Sequence, residues 1–256
     1  MISPASERGD REVNVKIINP NTTLSMTKSI ELAARKFARS DTYVYAVSPA
    51  TGPDSIESMY DEYLSVPGVI SEVIKGDREE DADAFIIACF GDPGILACRE
   101  VTDKPVIGIA QAAYTLAQMI APNFSVVYVL DRSETVVRNS LHLAGAEHAC
   151  KSLRSCGLGV LDFERDPDIG MKALSLQSRK CVEVDGAECV VLGCAGFVQF
   201  AEKLNHELPV PVIDGVMPAV KFAEALVDMG VKTSKKNLWS FPAPKVVLGF
   251  DEQVKF

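Results

Sequence analysis

The chain has 256 residues, 47% of them hydrophobic and 24% charged, which gives enough length and apolar content for a sizeable core and excludes a disordered chain. A formal net charge of -9 argues against a nucleic-acid partner, because a phosphate backbone needs concentrated Lys and Arg. The densest basic group, Lys232, Lys235 and Lys236, is too small to form such a patch. No run approaches the roughly 20 apolar residues that span a bilayer, and the polar start from Ser3 to Glu12 has no signal-peptide apolar region. No membrane partner and a cytoplasmic location are therefore expected. The 7 cysteines are odd in number and irregularly spaced, so free thiols are expected rather than a disulfide framework.

In chain order, Val13 to Ile18 is short and β-branched, and the polar turn Asn19-Pro20-Asn21-Thr22-Thr23 follows it: strand, loop, helix. Leu24 to Phe37 carries Ile30, Leu32, Ala33 and Phe37 at helical spacing, and Tyr43 to Val47 predicts a second strand. Ser55 to Lys75 predicts a helix interrupted at Pro67. Ala84 to Ala88 is an apolar strand, Asp92 to Arg99 starts a helix, and Pro105 to Ile109 predicts another strand. Short apolar strands alternating with helices are the pattern of an α/β fold with parallel sheets and crossover helices.

The second half repeats the order. Phe124 to Leu130 matches the first strand and runs into Asp131-Arg132-Ser133, Gly157 to Phe163 is placed as the second strand, and Met171 to Val184 as the long helix. Cys189 to Leu192 then answers the strand at 84–88, and Pro211-Val212-Ile213-Asp214-Gly215 answers Pro105-Val106-Ile107-Gly108. The expected architecture is two pseudo-symmetric lobes, residues 13–113 plus 218–256 and residues 114–217, with a polar tail at 1–12. The helix Ala219 to Met229 returns to the first lobe, and the site is expected between the lobes, at the carboxyl ends of the strands.

Two cysteines occupy matching places in this repeat. Cys89 follows Ala84-Phe85-Ile86-Ile87-Ala88 and precedes Phe90-Gly91; Cys194 follows Val190-Val191-Leu192-Gly193 and precedes Ala195-Gly196. From Cys89 to Gly108 is 19 positions and from Cys194 to Gly215 is 21, so the spacing survives the repeat. A thiolate and a thiol on opposite faces of a stereocentre form an acid and a base that exchange roles with direction. Helix N-terminal amides after each cysteine are expected to lower the thiol pKa from about 8.5. Cys98, Cys150, Cys156, Cys181 and Cys189 are assigned to packing. Gly157-Leu158-Gly159 lacks the third glycine of a dinucleotide loop, and His142, His148, Cys150 and Cys156 do not match metal-site spacing, so neither a cofactor nor a metal is expected.

The segments Ile17-Ile18-Asn19-Pro20-Asn21-Thr22-Thr23, Ala88-Cys89-Phe90-Gly91-Asp92-Pro93-Gly94, Val106-Ile107-Gly108-Ile109, Leu192-Gly193-Cys194-Ala195-Gly196 and Pro211-Val212-Ile213-Asp214-Gly215-Val216 together resemble the hydantoin and allantoin racemase family of the aspartate/glutamate racemase superfamily. The resemblance spans about residues 13 to 243. It implies that Cys89 and Cys194 are the two acid/base thiols, that the substrate is a cyclic ureide, and that the protein is a homo-oligomer, a tetramer or hexamer. Candidate substrate contacts are Asn19, Asn21, Thr22, Ser48, Phe90, Gly91, Tyr128, Ala195 and Gly196, with backbone amides after the cysteines placed to hold an enolate oxygen. Ser55-Ile56-Glu57, Tyr60-Asp61-Glu62 and Phe241-Pro242 look more like allantoin racemases than racemases of alkyl or aryl hydantoins. Gln111, Tyr128 and Phe197 depart from the family's usual Glu, Thr and Met. The alternatives are a 5-substituted hydantoin racemase, a superfamily isomerase or decarboxylase, and a ureide-binding protein without catalysis.

Overall fold

The computed structural model describes residues 12–248. Residues 1–11, nearly all of the expected polar tail, and residues 249–256 lie outside the described residues. Strand β1 (Val13–Ile18) is followed by α1 (Leu24–Phe37), β2 (Thr42–Val47), α2 (Met59–Arg78), β3 (Ala84–Ile87), α3 (Ile95–Val101), β4 (Val106–Gly108) and α4 (Ile109–Ile120). The second half runs β5 (Phe124–Tyr128), α5 (Glu134–Leu143), β6 (Cys150–Ser155), α6 (Asp162–Arg165), α7 (Pro167–Glu183), β7 (Val190–Leu192), α8 (Ala201–Glu207), β8 (Val212–Ile213) and α9 (Val216–Asp228). Tight 3-10 turns at Asp131–Ser133 and Ala195–Phe200 lie between them.

The strands form two four-stranded sheets, ordered β2-β1-β3-β4 and β6-β5-β7-β8, and every pairing is parallel. The two orders are the same topology. In each, the chain leaves the first strand toward one edge and the third strand toward the other, so a switch point opens between β1 and β3, and again between β5 and β7. The α/β fold expected from the alternation is present, with helices flanking both sheets.

One continuous core joins the halves. Val15, Ile17 and Ile86 of the first sheet pack with Ile30 and Ala34 of α1, and an aromatic run of Phe90, Tyr114 and Phe124 leads toward Val126 and Val191 of the second. Phe90 meets Tyr114 edge-on at 5.4 Å, and Tyr114 stacks on Phe124 at 5.5 Å. A second cluster covers the other face of the first sheet, where Phe85 and Ile87 meet Val69 and Val73 of α2 and Ile95 and Cys98 of α3. Helix α9 packs on α1, α4, β1, β3 and β4.

Three expectations are corrected. The second strand of the second half is β6, Cys150–Ser155, not Gly157 to Phe163. Those later residues form a loop and α6, where Val160 and Phe163 are buried against the core rather than paired in the sheet. Helix α2 runs through Pro67 without a break. The amide that proline lacks would have bonded to the carbonyl of Tyr63, which stands on the exposed side of the helix where water can serve it. Helix α3 starts at Ile95, because Asp92 and Gly94 adopt left-handed backbone, φ 49° and 72°, in the turn after Cys89.

Candidate active site

Strand β1 ends in a polar turn that builds its own scaffold. Asn19 is fully buried, and its Nδ2 donates to Asn21 Oδ1 and Thr27 Oγ1, each at 2.9 Å. Asn21 Oδ1 also accepts from the Thr23 amide at 2.9 Å, which shapes the entry to α1. Thr22 Oγ1 donates to the Pro53 carbonyl at 3.3 Å, and Ser48 Oγ shares a 2.5 Å hydrogen bond with Thr27. Of this group only Asn21 reaches the cavity described below.

After β3 the backbone places Cys89 at the switch point and then turns sharply. The turn sends Asp92 under the start of α4, where Oδ1 accepts from the Ala110 amide at 3.0 Å and Oδ2 from the Gln111 amide at 2.9 Å. Gly108 must be glycine, since a Cβ there would fall on the Asp92 carboxylate. The second half reaches a similar end by another route. Gly193 donates to the Val127 carbonyl at 2.7 Å, with no room for a side chain against Val126 and Tyr128, and Cys194 opens the turn at Ala195–Phe200. Asp214 Oδ1 then accepts from the amides of Val216 and Met217 at 2.9 and 3.0 Å, capping α9.

The two switch points face one cavity. Its walls include Asn21, Cys89, Phe90, Gly91, Tyr128, Cys194 and Ala195, seven of the eleven candidate residues. Asn19, Thr22 and Ser48 stand behind the wall, supporting it, and Gly196 faces a second, outer cavity. Sequence reasoning missed Met26, Ile56, Val129, Val136, Val137, Val160 and Ser133, and Ala88 and Gly193 complete the lining. None of these carries a residue-type signal, since Val and Ile line cores and cavities alike. The walls leave about 40 Å³, room for a few groups the size of water at about 10–15 Å³ each, so a five-membered ring has to spread them. The outer cavity, about 510 Å³ between α1 and α8, shares Met26 and Ala195 with the inner one.

The first half closes over the second through Glu57. Its carboxylate accepts from the Val160 amide at 2.7 Å and its carbonyl from Ser133 Oγ at 2.8 Å, and Ser25 donates to Glu164 at 2.9 Å beside them. The residues that depart from the family pattern are all engaged. Gln111 accepts from Arg99 at 2.6 Å, the Tyr128 hydroxyl donates to Glu134 at 3.2 Å, and Phe197 is buried against Phe163 at 4.5 Å. Phe197 therefore belongs to the core and not to the cavity wall.

Both thiols are half-buried and free. Burial pushes Cys194 up to about 11, against the Gly196 amide that donates to it, and the charge of Glu57 adds to the rise. Cys89 is raised further, chiefly by burial. The Gly91 amide opposes this, while Glu62, Cys194 and Asp92 reinforce it. The amides foreseen after each cysteine are present, yet desolvation outweighs them, so the expected lowering of the thiols is overturned. Two carboxyls behind Cys89 are also raised to about 7: Glu62 by burial and the charge of Asp92, and Asp92 by burial despite its two amides and Arg99.

This arrangement has counterparts among known proteins. A hydantoin racemase from Pseudomonas sp. (strain NS671) is 54% identical over 237 residues, covering 93% of this chain and 95% of that protein. The solved structure of an allantoin racemase from Klebsiella pneumoniae superposes with a TM-score of 0.92 at 41% identity, covering 95% of this chain and 99% of that one. An allantoin racemase from Pseudomonas fluorescens gives 0.89 at 35% identity, covering 93% and 100%. The family model described as Asp/Glu/Hydantoin racemase matches residues 15–223, a span that contains both switch points and both cysteines, and the chain belongs to this family of enzymes.

Proposed function

We propose that the protein racemises 5-substituted hydantoins without a cofactor, using Cys89 and Cys194 as paired acid and base. The observation that carries this reading is the placement of one thiol at each of the two switch points, on the walls of one cavity. The hydrogen of ring C5 lies between a carbonyl and a ring nitrogen. When a thiolate on one face takes it as a proton, the C–H electron pair passes into the enolate of that carbonyl. The thiol on the opposite face returns a proton to the carbon, giving the mirror-image product and leaving the two sulfurs with exchanged protonation. No atom or electron is gained or lost. The apolar walls around the pair keep water from competing for the carbanion.

The lining of Ile56, Val129, Val136, Val137, Val160 and Phe90 suits a hydrocarbon substituent at C5. Allantoin, whose C5 carries a ureido group, is the second reading. Asn21 and Ser133 on the wall and the likeness to two allantoin racemase structures favour it. Loss of optical rotation, followed for allantoin and for benzyl, isopropyl and methyl hydantoins, ranks these substrates. In the same assay in deuterated water, Cys89→Ala and Cys194→Ala are each expected to lose racemisation by at least about a thousandfold, the scale on which removal of a proton-transfer group acts. Racemisation that survives in both variants would sink the two-thiol mechanism.

A further inference from the structure

Resting on the two-thiol reading, we propose that Glu62 is a positioning residue that makes Cys89 the harder of the two thiols to ionise, so that Cys194 is the one that becomes the base. The two cysteines occupy matching turns, so their difference must come from what lies behind them. Behind Cys89 stands Glu62, in the first turn of α2. Its carboxylate packs on Gly91 so closely that a Cβ there would overlap Glu62 Oε2 and come within 2.7 Å of Val136 Cγ1. Gly91 is also the residue whose amide donates to the Cys89 sulfur. One backbone unit thus touches both the thiol and the carboxylate.

The position is electrostatically open. Glu62 Oε2 is buried and has no hydrogen-bond partner among the described residues, whereas the neighbouring Asp92 spends its oxygens on the Ala110 and Gln111 amides and faces the charge of Arg99. With its carboxyl raised to about 7, Glu62 is mostly ionised at pH 8, and a carboxylate there opposes ionisation of the thiol next to it. The groups acting on the Cys89 thiol are the Gly91 amide, Glu62, Cys194 and Asp92; those acting on Cys194 are the Gly196 amide and Glu57. Two carboxylates oppose ionisation of Cys89 and one opposes that of Cys194. Cys89 is therefore the harder thiol to ionise, and of the two carboxylates on its side Glu62 is the one with a buried oxygen that no donor meets among the described residues.

Alkylation reads this directly, because only thiolates react with iodoacetamide at an appreciable rate. The two rates are measured at pH 8 by peptide mass spectrometry, in the full chain and in Glu62→Gln and Glu62→Asp, with thermal melting to verify the fold of each. In the parent, Cys194 is expected to label about tenfold faster than Cys89 or more, one pKa unit being a factor of ten in thiolate. Glu62→Gln is expected to raise the Cys89 rate about tenfold relative to Cys194 in the same molecule, and Glu62→Asp, which keeps the charge, to hold the parent ratio within about twofold. Faster labelling of Cys89 in the parent, an unchanged ratio in Glu62→Gln, or a ratio that moves equally in both variants would overturn the assignment. A general loosening of the cavity accelerates both thiols and leaves the ratio unchanged, so it counts against the assignment too. Labelling needs no turnover: racemisation that survives loss of either cysteine defeats the two-thiol reading, whereas an unmoved ratio defeats only the role given to Glu62.

Discussion

Cys194 shows how a residue's surroundings can reverse the expectation drawn from its neighbours in sequence. Glycine-containing turns after a thiol supply amides, and amides favour a thiolate; here the Gly196 amide does bond to the sulfur, yet burial dominates and Cys194 rises to about 11. Neutral pH then leaves only about one thiolate in ten thousand at this site, and the fraction grows about tenfold with each pH unit until the thiol's own value is approached. In the proposed two-thiol reaction the base must be ionised and the acid protonated, and the further rise of Cys89 keeps that thiol protonated throughout. The kcat/KM for racemisation is therefore expected to climb about tenfold per unit from pH 7 to pH 9, without a fall on the alkaline side of that window. Initial rates across this range test it, and a bell centred near pH 7 would contradict thiols held up by burial. No reading of residue types alone could have supplied the sign, because the opposing effect comes from Ile56, Val136, Val137 and Val160, which converge only in the folded chain.

At the scale of elements, most of what sequence pattern carries was legible where one face of an element is buried. Helix α1 has the expected bounds, Leu24 to Phe37, but of the four residues whose spacing suggested it only Ile30 is in the core; Leu32 and Phe37 are exposed, and the buried face is Met26, Ile30 and Ala34. The cysteine-bearing strands were legible for the opposite reason: β3 and β7 are central, buried on both faces, and read as unbroken apolar runs. Strand β6 was not. It is an edge strand reading Cys-Lys-Ser-Leu-Arg-Ser, half-buried along its length and tied down by side chains, with Arg154 and Ser152 both donating to Asp185 at 2.6 and 2.5 Å. Nothing in such a run signals a strand, while the apolar Leu158, Val160 and Phe163 just beyond it imitate one. The cap of α9 was equally invisible as a cap, although the motif containing Asp214 was noted. Asp214→Ala removes the acceptor for two helix amides and is expected to cost about 1–2 kcal/mol. That corresponds to a fall in Tm of roughly 2–8 °C for a chain of this size. Asp214→Asn keeps an acceptor oxygen and removes a buried charge, so it should melt close to the parent. Equal losses in the two variants would show that the charge, and not the cap, holds α9 in place.

The whole molecule is an arrangement of two like halves fused by one core, with the cavity at the seam where their switch points meet. The cavity lined by both thiols measures about 40 Å³, less than a five-membered ring needs, so its wall has to give where the segment before α2 meets the second half; the ties there include Ser25 to Glu164, Ser133 to the Glu57 carbonyl, and the Val160 amide to the Glu57 carboxylate. Glu57 serves two functions that substitution can separate. As a hydrogen-bond acceptor it holds the segment before α2 against the second half, with Ile56 forming part of the cavity wall; as a charge it raises Cys194. Glu57→Gln retains an acceptor and removes the charge, so the thiolate of Cys194 becomes easier to form and the rising limb of the pH profile should move to lower pH with KM little changed. Glu57→Ala removes both. The same shift is then joined by a weaker closed state, which raises KM by about tenfold, as expected when a hydrogen bond to a charged group worth about 1.5 kcal/mol is lost. Amide exchange over residues 55–58 and 159–161 should quicken in the alanine variant and stay near the parent in the glutamine variant. If both variants raise KM alike, Glu57 acts on substrate through its charge rather than by closing one half upon the other. If neither does, the ties through Ser25 and Ser133 suffice to keep the walls together.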